Sequence, residues 1–226
     1  MSQLGCKADA NNKQVAGQIE FKHLKSLRME EITMSEGNGK KEKGLSDYGI
    51  IYLSGSIEDG TSESVCKEII EYNISGKTDH IQMILNSSGG SCPAGFAIID
   101  IMEWSRIPIF TTGIGMIASM ALLVFMTGTK GRRVITPRTS MLSHRYSSMT
   151  WGNHSQLLAT RKEQDLEHDR IIDHYLRYSG IQSKKELEKY LLRDVDTWLA
   201  PDEAVKLGLV DLVEPLKPQI SGERRG

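Results

Sequence analysis

From residue 48 onward apolar and polar positions fall into blocks whose period changes along the chain. "YGIIYLSG" (48–55) is a β-favouring apolar run closed by Ser and Gly, and it predicts a strand. After "IEDGTSES", Val65, Ile69, Ile70 and Ile74 recur with helical spacing and predict a helix facing a core. "HIQMILNSS" (80–88) then reads as a buried strand, Gly89 and Gly90 as a turn, and "AGFAIIDIMEWS" (94–105) as a second helix. Pro108 opens the strand "PIFTTGIG", and a third helix starts around Ser119. This βαβαβα order predicts an α/β layered fold with right-handed crossovers and leaves strand order open.

"GRRVITP" (131–137) and "TSMLSHR" (139–145) predict two further strands around a turn at Pro137 and Arg138. A long helix follows over about 155–178. Its middle, "RKEQDLEHDR", is so densely charged that only a narrow stripe with Leu158, Leu166, Ile172 and Leu176 is expected to be buried, and the helix is expected to project from the body. Ser183 and Glu186 have capping-box spacing before a short helix ending near Leu192, and Pro201 opens "PDEAVKLG", closed by Gly208. Residues 1–46 are polar, with "SEGNGKKEKGLSD" too rich in Gly and charge to bury much surface. The expected organisation is a flexible arm over 1–46, one compact domain over 47–214 and a flexible tail over 215–226.

With 28 Lys+Arg against 29 Asp+Glu, the chain has no overall field to attract nucleic acid or an anionic membrane. The cluster Lys130, Arg132 and Arg133 reads as a solvated turn after a helix, complementing its dipole. Cys6, Cys66 and Cys92 are odd in number and lack C-x-x-C spacing, so neither a disulfide framework nor a zinc site is indicated, and a reducing, cytosol-like compartment is expected. Ile117–Met126 is about half the roughly 20 residues needed to span a bilayer. The first residues lack a basic start leading into an apolar core, so no export signal is read.

Two strand-to-helix junctions carry the candidate chemistry. Gly89-Gly90 leaves backbone N–H groups able to face an oxyanion, although such a pair is ordinarily just a tight turn. Ser119 opens a helix, where a serine is ordinarily an N-cap. To act as a nucleophile it needs a histidine to take its proton and an acid to orient that histidine. His23 lies in the arm, His80 opens a strand, and His154, His168 and His174 fall in a polar segment read as exposed. His144 differs because it ends the apolar strand "SMLSH". Spacing alone does not choose among Asp165, Asp169, Asp173, Asp194 and Asp196. Cys92 is a rival nucleophile whose blander reading is a small packing residue. The H-E-x-x-H, G-x-G-x-x-G and G-x-x-x-x-G-K-S/T patterns are absent, which argues against zinc-peptidase and nucleotide chemistry in this chain.

Together, "LNSSGGSCPAGFAIIDIM", "GIGMIASMALLVFMTGTKGRR", "SMLSH" and "APDEAVKLGLVD" resemble the Clp protease proteolytic subunit, ClpP, from about Tyr48 to Val213. The resemblance implies a ClpP/crotonase-like layered α/β fold of repeated β-β-α and βα units with a protruding handle helix. It implies a serine endopeptidase in which Ser119 is the nucleophile, His144 the general base and Asp196, with Asp194 as fallback, the orienting acid. Gly90 and Met120 would supply the oxyanion-hole N–H groups. It further implies no metal or cofactor in this chain, a heptameric ring or double ring of 14 copies, and an AAA+ unfoldase that uses ATP and feeds polypeptides in a cytoplasmic or organelle interior. A non-catalytic ring subunit and a crotonase-type acyl-CoA enzyme are the alternatives. The chain departs from the family pattern at Ser88, at Ala121, at Val195 and across "HRYSSMTWGN" after His144.

Overall fold

The structure is a computed structural model, described here for residues 43–147 and 149–214. The expected arm, as far as residue 42, and the expected tail over 215–226 lie outside the described residues. After a single 3₁₀ turn at Leu45–Tyr48, three βα units follow in succession: β1 (Ile50–Ile57) and α1 (Asp59–Ser75), β2 (Ile81–Gly90) and α2 (Cys92–Trp104), β3 (Ile109–Ala118) and α3 (Met120–Met126). Then come β4 (Arg133–Ile135), β5 (Ser140–Ser143), the long α4 (His154–Tyr178), α5 (Lys184–Tyr190), β6 (Thr197–Leu199), α6 (Pro201–Lys206) and β7 (Leu212–Val213).

The strands make one seven-stranded sheet whose main path is β1-β2-β3-β4-β7, all in parallel. Parallel strands covered on both faces need near-continuous apolar runs, which is why Ile81, Met83 and Leu85 of β2 are wholly buried. β4 and β5 do not pair with each other as their proximity in sequence predicts. Instead the ten residues of β3 take one after the other as a parallel neighbour: Thr111–Gly113 along β4, then Met116–Ala118 along β5. β5 continues the sheet to β6, antiparallel. β6 and β7, only three and two residues long, carry too little periodicity to be read in advance.

Every residue of α3 is buried, and it sits in the core among Ile57, Ile98, Ile117, Met141 and Tyr175. α4 begins with a reciprocal cap, Gln156 N–H donating to Asn153 Oδ1 at 3.0 Å and Asn153 N–H to Gln156 Oε1 at 2.9 Å. Only its second half joins the core, through Ile171, Ile172, His174 and Tyr175; Leu158 and Leu166, expected in the buried stripe, are exposed. His174, expected in solvent, is instead buried. Its Nε2 lies 3.0 Å from the Leu123 carbonyl oxygen of α3, and burial pulls its pKa down to about 4.

The basic turn after α3 is also not solvated throughout. Arg133 is fully buried, with Nε and Nη2 donating to both Asp211 carboxylate oxygens at 2.9 and 2.7 Å and the remaining N–H groups to the carbonyls of Tyr178 and Gly208. Burial acts to raise the Asp211 pKa, but the hydrogen bonds and charge of Arg133 outweigh it and leave the carboxyl below its usual range. This clasp ties β4 to the end of α4 and to the last strand, and so holds the far edge of the sheet in register.

Candidate active site

β3 ends by entering α3 with no intervening residue other than Ser119. The chain must reverse there at once, and Ser119 takes φ 54°, ψ −126°, the only positive φ outside glycine among the described residues. A side chain in that region costs on the order of 1–3 kcal/mol and persists only where the surroundings impose it. Here they do: the Ser119 N–H donates to Leu142 O of β5 at 2.9 Å, and Ala118 pairs with Leu142. The serine does not cap α3, since its hydroxyl makes no bond to the helix N–H groups. Its Oγ lies 2.7 Å from His144 Nε2.

That contact follows from the sheet. Leu142 holds the Ser119 backbone, and His144 stands two residues further along the same strand direction, just past β5. β5 itself is pinned from below by Ser143 Oγ, 2.8 Å from the hydroxyl of the fully buried Tyr175. Both Ser119 and His144 are half-buried, while Ser143 and Tyr175, which brace β5, are buried.

Asp196 is exposed and makes no hydrogen bond or ion pair to His144. The antiparallel ladder pairs Leu142 with Trp198 and ends at Ser143 with Thr197, so His144 and Asp196 each stand one residue beyond its last pair. The fallback, Asp194, is otherwise engaged, pairing with Arg145 at 3.1 Å while Arg145 Nε donates to Leu192 O.

The glycine pair closes the other side. Gly89 has φ 87°, and a Cβ there would come within 2.9 Å of Ser119 Cβ and 2.8 Å of Met120 N. Gly90 has φ 154°, and a Cβ would lie 2.3 Å from Ile57 O. Both must be glycine for the loop to fit between β1 and the serine turn. Sequence reasoning overlooked the serines that brace this loop. Ser87 Oγ accepts from Gly89 N–H at 3.1 Å and donates to Gly55 O at 2.6 Å, while Ser91 caps α2 and donates its N–H to Ile57 O at 2.8 Å. Serines flanking a glycine pair before a helix were the available signal. Cys92 heads α2, half-buried, with burial and the charge of Glu167 pushing its thiol up to about 11, so the rival nucleophile is held as an inert thiol.

Among the described residues no cluster of His, Cys, Asp or Glu could hold a metal ion, and no helix is long and apolar enough to cross a membrane. The sequence matches the Clp protease family over residues 36–215. It is 30% identical over 186 residues to the ATP-dependent Clp protease proteolytic subunit of Deinococcus radiodurans, covering 79% of this chain and 89% of that protein. With a strained serine already hydrogen-bonded to a histidine at the end of β5, these matches settle the assignment: the chain belongs to the Clp protease family and is a serine peptidase of the ClpP type.

Proposed function

We propose that this protein cleaves unfolded polypeptides through an acyl-enzyme on Ser119, with His144 as general base and Asp196 as the acid that orients it. The 2.7 Å contact between Ser119 Oγ and His144 Nε2 carries the reading. For Nε2 to accept the serine proton, the ring's own proton must reside on Nδ1, and that N–H then needs an acceptor. Asp196, which flanks the end of the β5–β6 ladder as His144 does, is the acceptor this reading assigns.

As Oγ attacks the carbonyl carbon of a peptide bond, its proton passes to Nε2 and the carbonyl oxygen becomes an anion. The first N–H groups of a helix lack intrahelical partners, and Met120 is the first residue of α3. Gly90, whose following residue donates its N–H to Ile57 O, is the second donor in this reading. Two such donors, each worth roughly 10²–10³ in rate, stabilise the tetrahedral species. The imidazolium then protonates the departing amine. Water, deprotonated in turn by His144, attacks the ester and releases the acid with Ser119 restored.

The name of the Deinococcus relative connects that protein with ATP. We extend this to a Clp-type AAA+ unfoldase as partner here, acting on a heptameric ring or a pair of stacked rings with the sites inside. Leu158, 60% exposed, together with the exposed Leu157, Leu166 and Trp151, supports an assembly surface on the first half of α4, because an isolated chain gains nothing from displaying them. Hydrolysis of a fluorogenic peptide by the wild type, Ser119→Ala and Asp196→Asn tests the reading. A loss of roughly 10⁴-fold or more is expected for the first and about 10²–10⁴ for the second. Undiminished cleavage by Ser119→Ala contradicts it.

A further inference from the structure

His144 stands one residue past the end of β5, where the β5–β6 ladder has closed on Ser143 and Thr197. Its placement against Ser119 therefore depends on what holds the residues on either side of it. On the far side Arg145 donates from Nε to Leu192 O at 2.8 Å and pairs with Asp194 at 3.1 Å, but both side chains reach solvent, where such a pair contributes little. On the near side Ser143 is fully buried, and its Oγ lies 2.8 Å from the hydroxyl of Tyr175, itself 1% exposed. Among the described residues neither hydroxyl has a second side-chain partner.

Stability alone does not call for this pair. Two buried hydroxyls that satisfy only each other gain little over apolar groups of the same shape, so phenylalanine and alanine would fill the space about as well. What the pair adds is direction, because a hydrogen bond in a dry core fixes a distance and an angle where apolar packing tolerates sliding. The frame behind Tyr175 is fixed too. The adjacent His174 places Nε2 3.0 Å from Leu123 O of α3, the helix that Ser119 leads into, and Arg133 Nη1 donates to Tyr178 O at 2.7 Å in the next turn. One stretch of α4 thus holds both the helix that follows the serine and the strand that delivers the histidine. Burial pushes the Tyr175 hydroxyl up to about 12, against a smaller lowering by Ser143, so it stays protonated and the bond persists at any pH suited to a peptidase assay.

We propose that Tyr175 is a positioning residue for the reaction: through its hydrogen bond to Ser143 it sets the reach of the His144 ring to the Ser119 hydroxyl. The inference rests on Ser119 and His144 being nucleophile and base.

The test compares full-length wild type, Tyr175→Phe, Ser143→Ala and the double variant in hydrolysis of one fluorogenic peptide and in thermal unfolding. Each single variant strands one buried hydroxyl and is expected to lower Tm; the double variant strands none and is expected to regain most of the loss. In all three, kcat is expected to fall roughly 10- to 100-fold with KM within about twofold of wild type, because a small displacement of the base costs the chemical step rather than binding. The double variant separates the two roles: its kcat stays low although its stability has returned. Recovery of kcat together with Tm would reduce the bond to a structural contact and overturn the proposal, as would single variants whose kcat stays within about twofold of wild type. Kinetics are read well below the lowest Tm, and the split between kcat and KM decides for whichever variants fold. Ser119 unreactive toward a serine-directed phosphonate in the wild type would remove the peptidase reading itself, an outcome distinct from slow variants of a reactive enzyme.

Discussion

Ser119 is the residue on which strain and chemistry meet. Its left-handed backbone, φ 54°, aims the hydroxyl at His144 rather than into the α3 N-terminus, where a serine would otherwise serve as a cap. Function is thus maintained against local stability, and the conflict can be measured. Ser119→Gly, which adopts that φ freely, is expected to raise stability by about 1 kcal/mol, or 2–4 °C in Tm, while abolishing hydrolysis. Thermal unfolding of the two proteins decides it; an unchanged or lowered Tm would show that the turn is not strained. Ser119 and His144, which the structure brings within hydrogen-bond distance, could be singled out because each stands at a junction of patterns. Asp196 was singled out only through family resemblance, since it sits in "LLRDVDTW", where no periodicity distinguishes it from Asp194. In space Asp194 differs by its ion pair with Arg145.

At the scale of elements, the three βα units were readable because their apolar periods are long and switch cleanly between strand and helix. The neighbours of β3 were not, because serial pairing with β4 and β5 depends on a long strand outrunning a short one, which no local pattern records. α4 misled for a related reason. Its charged middle hides that its second half is core, and His174 looks like any polar helix residue until the Leu123 carbonyl is placed against it. Burial holds the folded His174 near pKa 4, below the ordinary histidine value of about 6.5, with Glu103 and Arg177 nearby acting in opposite senses. The unfolded chain then takes up the proton first, so this group's stabilising contribution is full above pH 6.5 and is lost as pH falls toward 4. Urea midpoints measured across that window are expected to fall less steeply for His174→Leu than for wild type; parallel curves would contradict the assignment. The depressed Asp211 carboxyl acts at lower pH, losing its contribution as pH falls below the ordinary aspartate value of about 3.9, so the two effects separate.

For the whole molecule, the fold places Ser119 at the C-terminal end of the central strand β3, beyond the point where its neighbour changes from β4 to β5, and leaves the first half of α4 displaying Leu157, Leu158 and Leu166. The account stands most directly on the reactivity of one hydroxyl. Native mass of the full-length protein before and after reaction with a serine-directed phosphonate, followed by mapping of the modified peptide, reads assembly and nucleophile together. The expected result is a multimer carrying one adduct per subunit, on Ser119, with the adduct lost in His144→Ala. An adduct on another residue, or Ser119 left unmodified in a preparation that still cleaves peptides, would contradict it.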